Sequence, residues 1–211
     1  MLLSHGSRVR GGAESGHYVV WEGDMAAVVG HPDPSIVRTV VEAPAIRELL
    51  VMRDAFTLVR SSLPEWPYEE AVIHALPQPA PEWPLPGPGV AFLEADAPLD
   101  HLPPQLADEI AEARAFGPVA AAWCDERPVS FCYAGSITET LWDVSIDTVP
   151  AYRRRGLAQS AVHLMAAFHR ESARLPVWGA VIGNLASLQL ASRMGFVPVD
   201  TLYVFGRPPR D

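Results

Sequence analysis

Val149-Pro150-Ala151-Tyr152-Arg153-Arg154-Arg155-Gly156-Leu157-Ala158 places three arginines and a glycine where a strand gives way to a helix. The apolar spacing that follows predicts a helix from about Arg155 to Ser172, with Leu157, Ala161, Leu164, Met165 and Phe168 on its buried face. A helix start already carries positive partial charge, so a helix shaped for stability alone would take Asp or Glu there. Arginines and open backbone N–H groups around Gly156 instead build a field that receives an anion such as a pyrophosphate. Gly156 lets a phosphate approach the backbone with no side chain in the way. The competing reading is a solvated arginine cluster.

Outward from this stretch, the sequence predicts strands over Val90–Glu94, Val119–Cys124, Val129–Ala134, Leu141–Ile146 and Val177–Ile182. Pro103-Pro104 opens a helix to about Ala115, a short helix spans Ala186–Met194, and terminal strands lie around Phe196–Phe205. The order β-α-β-β-β-α-β-α-β-β describes an α/β (α+β) fold: a mixed sheet with helices on its faces. Six prolines within Pro77–Pro88 form an extended connector, because neither a helix nor a central strand tolerates that density. The expected division is an N-terminal α+β extension over 1–88, ending in the connector 77–88, and a second domain over 89–211. In the extension, Tyr18–Trp21 and Ala26–Val29 read as a hairpin, Ser35–Arg60 as mostly helical with a break at Pro44, and Glu70–Leu76 as a strand. No repeat occurs at solenoid spacing.

Composition narrows the function. The 211 residues are 49% hydrophobic and 19% charged, with mean hydropathy +0.10, as in a globular protein rather than a disordered one. No apolar run approaches the ~20 residues of a membrane span, and the first seven residues lack the apolar core of a secretory signal. Cys124 and Cys132 are too few for a disulfide framework, so a reducing, cytoplasmic setting is expected. The net charge of −9 argues against a nucleic-acid partner, which would need a basic face. Seven histidines show no paired spacing, and His163 and His169, six apart on one helix, read as surface residues; no metal is expected. Neither a Gly-x-Gly-x-x-Gly nor a Gly-x-Ser-x-Gly motif is present. Trp66, Tyr68, Trp83 and Phe92 flank the connector and read as packing it onto the core, or as an aromatic wall.

The run Arg153-Arg154-Arg155-Gly156-Leu157-Ala158, after a strand and a Pro-Ala-Tyr turn, resembles the acyl-CoA pyrophosphate loop of the GCN5-related N-acetyltransferases, the GNAT superfamily. Asn184-x-x-Ser187-x-x-Leu190-x-x-x-x-Gly195-Phe196 resembles that family's second signature, a helix closing on Gly-Phe. The resemblance covers about 89–211. It implies a mixed, mostly antiparallel GNAT-like sheet with helices on both faces, and acetyl-CoA as acyl donor. It further implies that backbone N–H groups of Arg154, Arg155, Gly156, Leu157 and Ala158 hold the pyrophosphate, with added contacts from Gln159 and Ser160. Asp147, Thr148 and Val149 would pair with the pantetheine arm, a backbone N–H near Val149 would serve the oxyanion, and Asn184 would hydrogen-bond the pantetheine. Asn184 also reads simply as an N-cap and Gly195 as a C′ residue.

The resemblance brings the general base from the strand before the loop. Asp143, Ser145 and Asp147 alternate on one face there, opposite Trp142, Val144 and Ile146, and Asp143 and Glu139 are the candidates. A solvated carboxylate is the competing reading. The chain departs from the family at Ala191, where a tyrosine usually protonates the departing thiolate; Ser187, Ser192, Tyr203 or a water are the substitutes available. A thiol with pKa near ~8.5 leaves tolerably without help. The expected activity is an acyl-CoA-dependent N-acyltransferase moving acetyl to an amine of a small molecule or peptide, by direct attack in a ternary complex. The alternatives are an acyl-CoA-binding sensor without turnover and a plain anion-binding domain. A homodimer is left open.

Overall fold

The computed structural model describes residues 7–84 and 89–209. Residues 85–88, the end of the expected connector, lie outside the described residues, as do the first six, read above for a secretory signal. The chain forms two compact units that interleave along the sequence. One takes the residues up to His74, Gly179–Leu188 and those from Pro198 onward; the other takes Ala75–Trp178 and Gln189–Val197.

The elements in chain order are β1 (Arg8–Gly12), β2 (His17–Glu22), β3 (Met25–Val29), α1 (Pro34–Glu42), β4 (Glu48–Met52), α2 (Phe56–Ser62), β5 (Tyr68–Ala75), β6 (Val90–Phe92), α3 (Pro104–Phe116), β7 (Ala120–Cys124), β8 (Arg127–Ile137), β9 (Leu141–Thr148), α4 (Leu157–Arg170), β10 (Leu175–Val181), α5 (Leu185–Arg193) and β11 (Val197–Gly206). This is a mixed α/β architecture, mostly antiparallel, as the sequence predicts. The succession β2-β3-α1-β4-α2-β5 recurs as β8-β9-α4-β10-α5-β11. In each copy two antiparallel strands are followed by a helix that crosses to a parallel strand.

In the first unit the strand order is β1-β2-β3-β4-β11-β5. The predicted hairpin is present: Glu22 pairs with Met25 across the two-residue loop Gly23-Asp24, where Gly23 takes a φ of +59°. Val19, Val28, Val37, Leu49, Val51, Val59 and Phe205 form the core. Ser35–Arg60 is helical over most of its length, as expected, but a strand the sequence reading missed, β4, lies in its middle. Glu48–Met52 is too short an apolar run for periodicity to separate strand from helix. What makes it a strand is its neighbours, parallel β3 on one side and antiparallel β11 on the other, and β11 lies far away in sequence.

Arg207, just beyond β11, closes this unit. Its Nε donates to the Ile46 carbonyl at 2.6 Å, its Nη2 donates to the carbonyls of Val41 and Ala43, and its guanidinium sits 5.4 Å from the Trp66 ring centroid. The carbonyls of Val41 and Ala43 belong to the end of α1, where no further helical turn supplies donors. Charged hydrogen bonds contribute about 1.5–3 kcal/mol each, much of it recoverable from water once the site opens. Arg207→Ala should therefore cost roughly 2 kcal/mol, lowering Tm in a thermal melt by about 5 °C for a chain of this size. Arg207→Lys should recover less than half, since an ammonium lacks the fork that reaches several carbonyls.

In the second unit the order is β10-β9-β8-β7-β6. β7 and β8 are joined through Asp125 and Glu126, with φ of +51° and +62°, the left-handed pair that a tight hairpin of this twist requires. Val119, just before β7, and Ala121, Phe131 and Tyr133 on one face of β7 and β8 pack against Ile110 of α3. The other face meets α4, where Trp142 stacks on His169 with ring centroids 4.6 Å apart.

Three expectations are corrected. The buried face of α4 is Ala161, Val162, His163, Met165, Ala166 and His169, while Phe168 is 38% exposed. Both histidines are thus core residues rather than surface ones. Burial lowers the pKa of His163 and takes that of His169 to about 4, so His169 is neutral at physiological pH. The terminal strands are one strand, β11, since no turn interrupts Val197–Gly206. Among the described residues the expected aromatic wall does not form. Trp66 belongs to the core of the first unit, Tyr68 packs on Phe56, Tyr203 and Phe205, and Phe92 meets Phe168. Trp83 does anchor the connector, stacking on His163 and donating from Nε1 to the Met194 carbonyl at 3.1 Å.

Candidate active site

The site begins with an incomplete ladder. β9 pairs with β8 along its length, from Ile137↔Trp142 to Ser130↔Thr148, but its parallel register with β10 runs only from Leu141↔Leu175 to Asp143↔Val177. Val149 N–H donates to the Val129 carbonyl at 2.9 Å. By alternation, Asp147 and Ser145 also direct their backbone groups to β8, whereas Ile146 and Thr148 direct theirs to the opposite edge. The backbone donors near the end of β9 on that edge are therefore those of Ile146 and Thr148, and Val149's own N–H is engaged.

β9 then breaks at Pro150. A single 3-10 turn, Pro150–Tyr152, leads into the arginine loop. Arg153 donates from Nε to the Thr148 carbonyl at 3.1 Å, and Arg155 donates to the Ala151 carbonyl at 3.2 Å with its guanidinium 5.1 Å from the Tyr152 ring centroid. Arg154 takes a left-handed φ of +64°, unusual for a branched-free but bulky residue, and Gly156 follows at +80°. Among the described residues Arg154 has no tie of the kind that holds its two neighbours. Gly156 is the N-cap of α4, with no side chain capping the helix and open space where its Cβ would project. The N–H groups of the first turn, Leu157, Ala158 and Gln159, therefore lack intrahelical partners. Ser160 is already inside the helix, its N–H and Oγ both donating to the Gly156 carbonyl. Successive N–H groups at an αL turn and an uncapped helix start, with arginines around them, suit a pyrophosphate.

Asp143, Ser145 and Asp147 occupy the face of β9 that looks toward α3, and Trp142 and Val144 are buried on the other, as the alternation predicts. Asp143 stands where the β9–β10 ladder ends, and burial raises its pKa from 3.8 to about 6. Glu139 lies in the exposed turn between β8 and β9. Asp147 belongs to a cluster that sequence reasoning missed. The Tyr133 hydroxyl lies 2.5 Å from Glu109 Oε1 and 3.2 Å from Asp147 Oδ2. Burial, with the Glu109 charge second, lifts Asp147 to about 6, and burial between two carboxylates raises Tyr133 well above the ordinary phenol range. A phenol has one proton and two acceptors here, so the cluster favours retaining a second proton on Asp147. Phe131↔Asp147 and Tyr133↔Ser145 are the cross-strand pairs that build it, and no local pattern announces that register.

Asn184 caps α5: its Oδ1 accepts from Ser187 N–H at 3.1 Å. Gly195, at φ +88°, ends the same helix as the expected C′ residue. Ala191 is fully buried. Of the hydroxyls that might replace a tyrosine there, Ser192 is exposed on α5 and Tyr203 is packed on Phe56. Cys132 is buried, which pushes its thiol up, and neither cysteine is paired. Among the described residues no three His, Cys, Asp or Glu side chains gather as a metal set. No helix among them is long and apolar enough to cross a membrane.

A strand that loses its parallel neighbour, a phosphate-suited turn and an uncapped helix are what the resemblance to the GNAT superfamily implies for this part of the chain. Residues 112–205, in the C-terminal part of the chain, match the family model for GNAT acetyltransferase. Among solved structures, a GNAT-family acetyltransferase from Novosphingobium aromaticivorans superposes with a TM-score of 0.63 at 15% identity, covering 89% of this chain and 85% of that one. A GCN5-related N-acetyltransferase-like protein from Streptococcus suis gives 0.62 at 13% identity, covering 90% and 82%. A GCN5-related N-acetyltransferase from Kribbella flavida gives 0.58 at 18%, covering 91% and 87%. At such identities the likeness is one of fold, and it extends beyond the part matched by the family model. No curated protein matches the chain.

Proposed function

We propose that the protein is an acyl-CoA-dependent N-acetyltransferase that moves acetyl from acetyl-CoA to an amine of a small molecule or peptide. The observation that carries this reading is the uncapped start of α4, with Arg154 and Gly156 both left-handed, directly after the free edge of β9. The thioester of acetyl-CoA supplies the activated acetyl group. In this reading the α4 N–H groups and the arginine loop hold the pyrophosphate, and the edge of β9 from Ile146 to Thr148 orients the pantetheine arm as an added strand would. A backbone N–H of that edge donates to the carbonyl oxygen as charge develops on it. Asp143 accepts the proton of the acceptor's ammonium, leaving a neutral amine to attack. With Ala191 in place of a tyrosine, the thiolate takes its proton from solvent. No activated nucleophile is needed for a direct transfer.

Two unpaired cysteines suit the cytoplasm, and the acidic balance suits an amine rather than a nucleic acid or an anionic membrane surface. The test is calorimetric titration with acetyl-CoA, CoA and ADP in parallel. Micromolar acetyl-CoA binding, clearly tighter than ADP, is the expected result, followed by thiol release in an amine screen. Equal affinity for ADP would favour a nucleotide- or phosphate-binding domain, and no binding of acetyl-CoA would sink the proposal. Ala191 favours a second reading, an acyl-CoA-binding module without turnover. Tight binding with no thiol release across the screen would support it.

A further inference from the structure

The regular pairing of β8 with β9 is broken once, between Ala134 and Ile137, and the interruption lies opposite Asp143. Bulges of this kind re-aim side chains next to active sites. Gly135 sits in it. A Cβ at Gly135 would fall 2.8 Å from Ser145 Oγ and 3.0 Å from Asp143 Oδ2. The first distance is shorter than real carbons tolerate and the second is tight enough that the oxygen must give way, so the Ser145 hydroxyl and the Asp143 carboxylate crowd the volume a side chain at 135 would fill. The φ of Gly135 is not in the left-handed region, so backbone conformation alone does not demand glycine there. The two atoms it would meet are the ends of side chains able to rotate. Adding a methyl group would thus leave the sheet in place and turn the carboxylate away.

We infer that Gly135 is a positioning residue, whose absent side chain lets Asp143 lie over the β8 bulge in the orientation it holds. Its bearing on catalysis rests on Asp143 acting as the base. The placement itself is testable without that assumption. In wild-type protein, the Gly135 amide and Cα resonances should titrate with the same midpoint as the Asp143 carboxyl carbon. Asp147 and Glu109 lie along the same side of the sheet, so the Asp143 signal is assigned by its loss in Asp143→Asn, where the Gly135 titration should vanish too. In Gly135→Ala the Asp143 midpoint should move by at least half a unit while acetyl-CoA affinity stays within about twofold, and adding Ser145→Ala should bring it part of the way back.

Gly135 resonances that ignore the Asp143 titration would overturn the inference whether or not the variant folds, as would a Gly135→Ala midpoint equal to wild type. If wild-type protein fails to bind acetyl-CoA while Gly135 still follows Asp143, the transferase reading falls and the placement stands.

Discussion

Gly156→Asp is expected to abolish measurable acetyl-CoA binding, a loss of at least about a hundredfold, while leaving Tm within a few degrees of wild type. The two effects come from different physics. Asp tolerates a left-handed φ better than most residues, so the backbone cost at one exposed position is modest. The same carboxylate would stand where a phosphate must approach, adding repulsion and closing the gap that glycine leaves. In the other copy of the topology an Asp does cap the helix, from an extended rather than a left-handed backbone. At the start of α1, Asp33 accepts from Ser35 N–H at 2.8 Å, and no anion would be drawn there. Calorimetry and a thermal melt on the one variant decide the matter. Retained acetyl-CoA affinity in a folded Gly156→Asp protein would mean that the α4 start is not the pyrophosphate site.

Asp143→Asn is expected to lower turnover by about 10²–10⁴-fold, the usual worth of a positioned base, with acetyl-CoA affinity little changed. In wild type the rate should climb with pH through the region near 6 as the carboxyl loses its proton, and this limb should disappear in the variant. Asp147 titrates in the same region, so only the comparison isolates Asp143. Stability should move the opposite way. Because burial raises the folded pKa of Asp143 above its ordinary 3.8, the folded chain binds that proton more tightly than the unfolded one. Stability from this group is present below the ordinary value, falls as pH rises to about 6, and stays lost above. Asp143→Asn should therefore raise Tm at pH 8 and leave it unchanged at pH 3.5. Undiminished thiol release from the variant, with any amine the wild type accepts, would remove Asp143 from the mechanism.

What the sequence made legible follows from how local each signal is. The arginine loop, the strand before it and α4 announce themselves because charge, proline and glycine sit within ten consecutive residues. The faces of β9 were readable from strict alternation. β4 was not, because its identity depends on β11, and a five-residue apolar run carries no period of its own. The α4 histidines misled for a related reason: a polar residue reads as exposed unless its partner is visible, and the rings that cover His163 and His169 belong to Trp83 and Trp142. The Tyr133–Glu109–Asp147 contact and the Gly135 gap both depend on the β8–β9 register. That register is shifted by a bulge that no turn residue marks, so half of the site came from strand pairing rather than from motif.

The pairing of β4 with β11 also imposes an order on how the chain comes into being. Leu202 through Gly206 leave a ribosome long after Met52 through Glu48, with which they line up. Until then β4 has one edge unsatisfied, and the carbonyls at the end of α1 wait for Arg207. The nascent chain must hold an apolar, half-built sheet through the synthesis of everything between, a period in which such an edge invites pairing with other chains. Expressing 89–211 alone would remove the strand that β11 completes, and stopping short of residue 197 would leave the first unit open. The chain can be divided on paper at its prolines, but its first unit is closed only by β11.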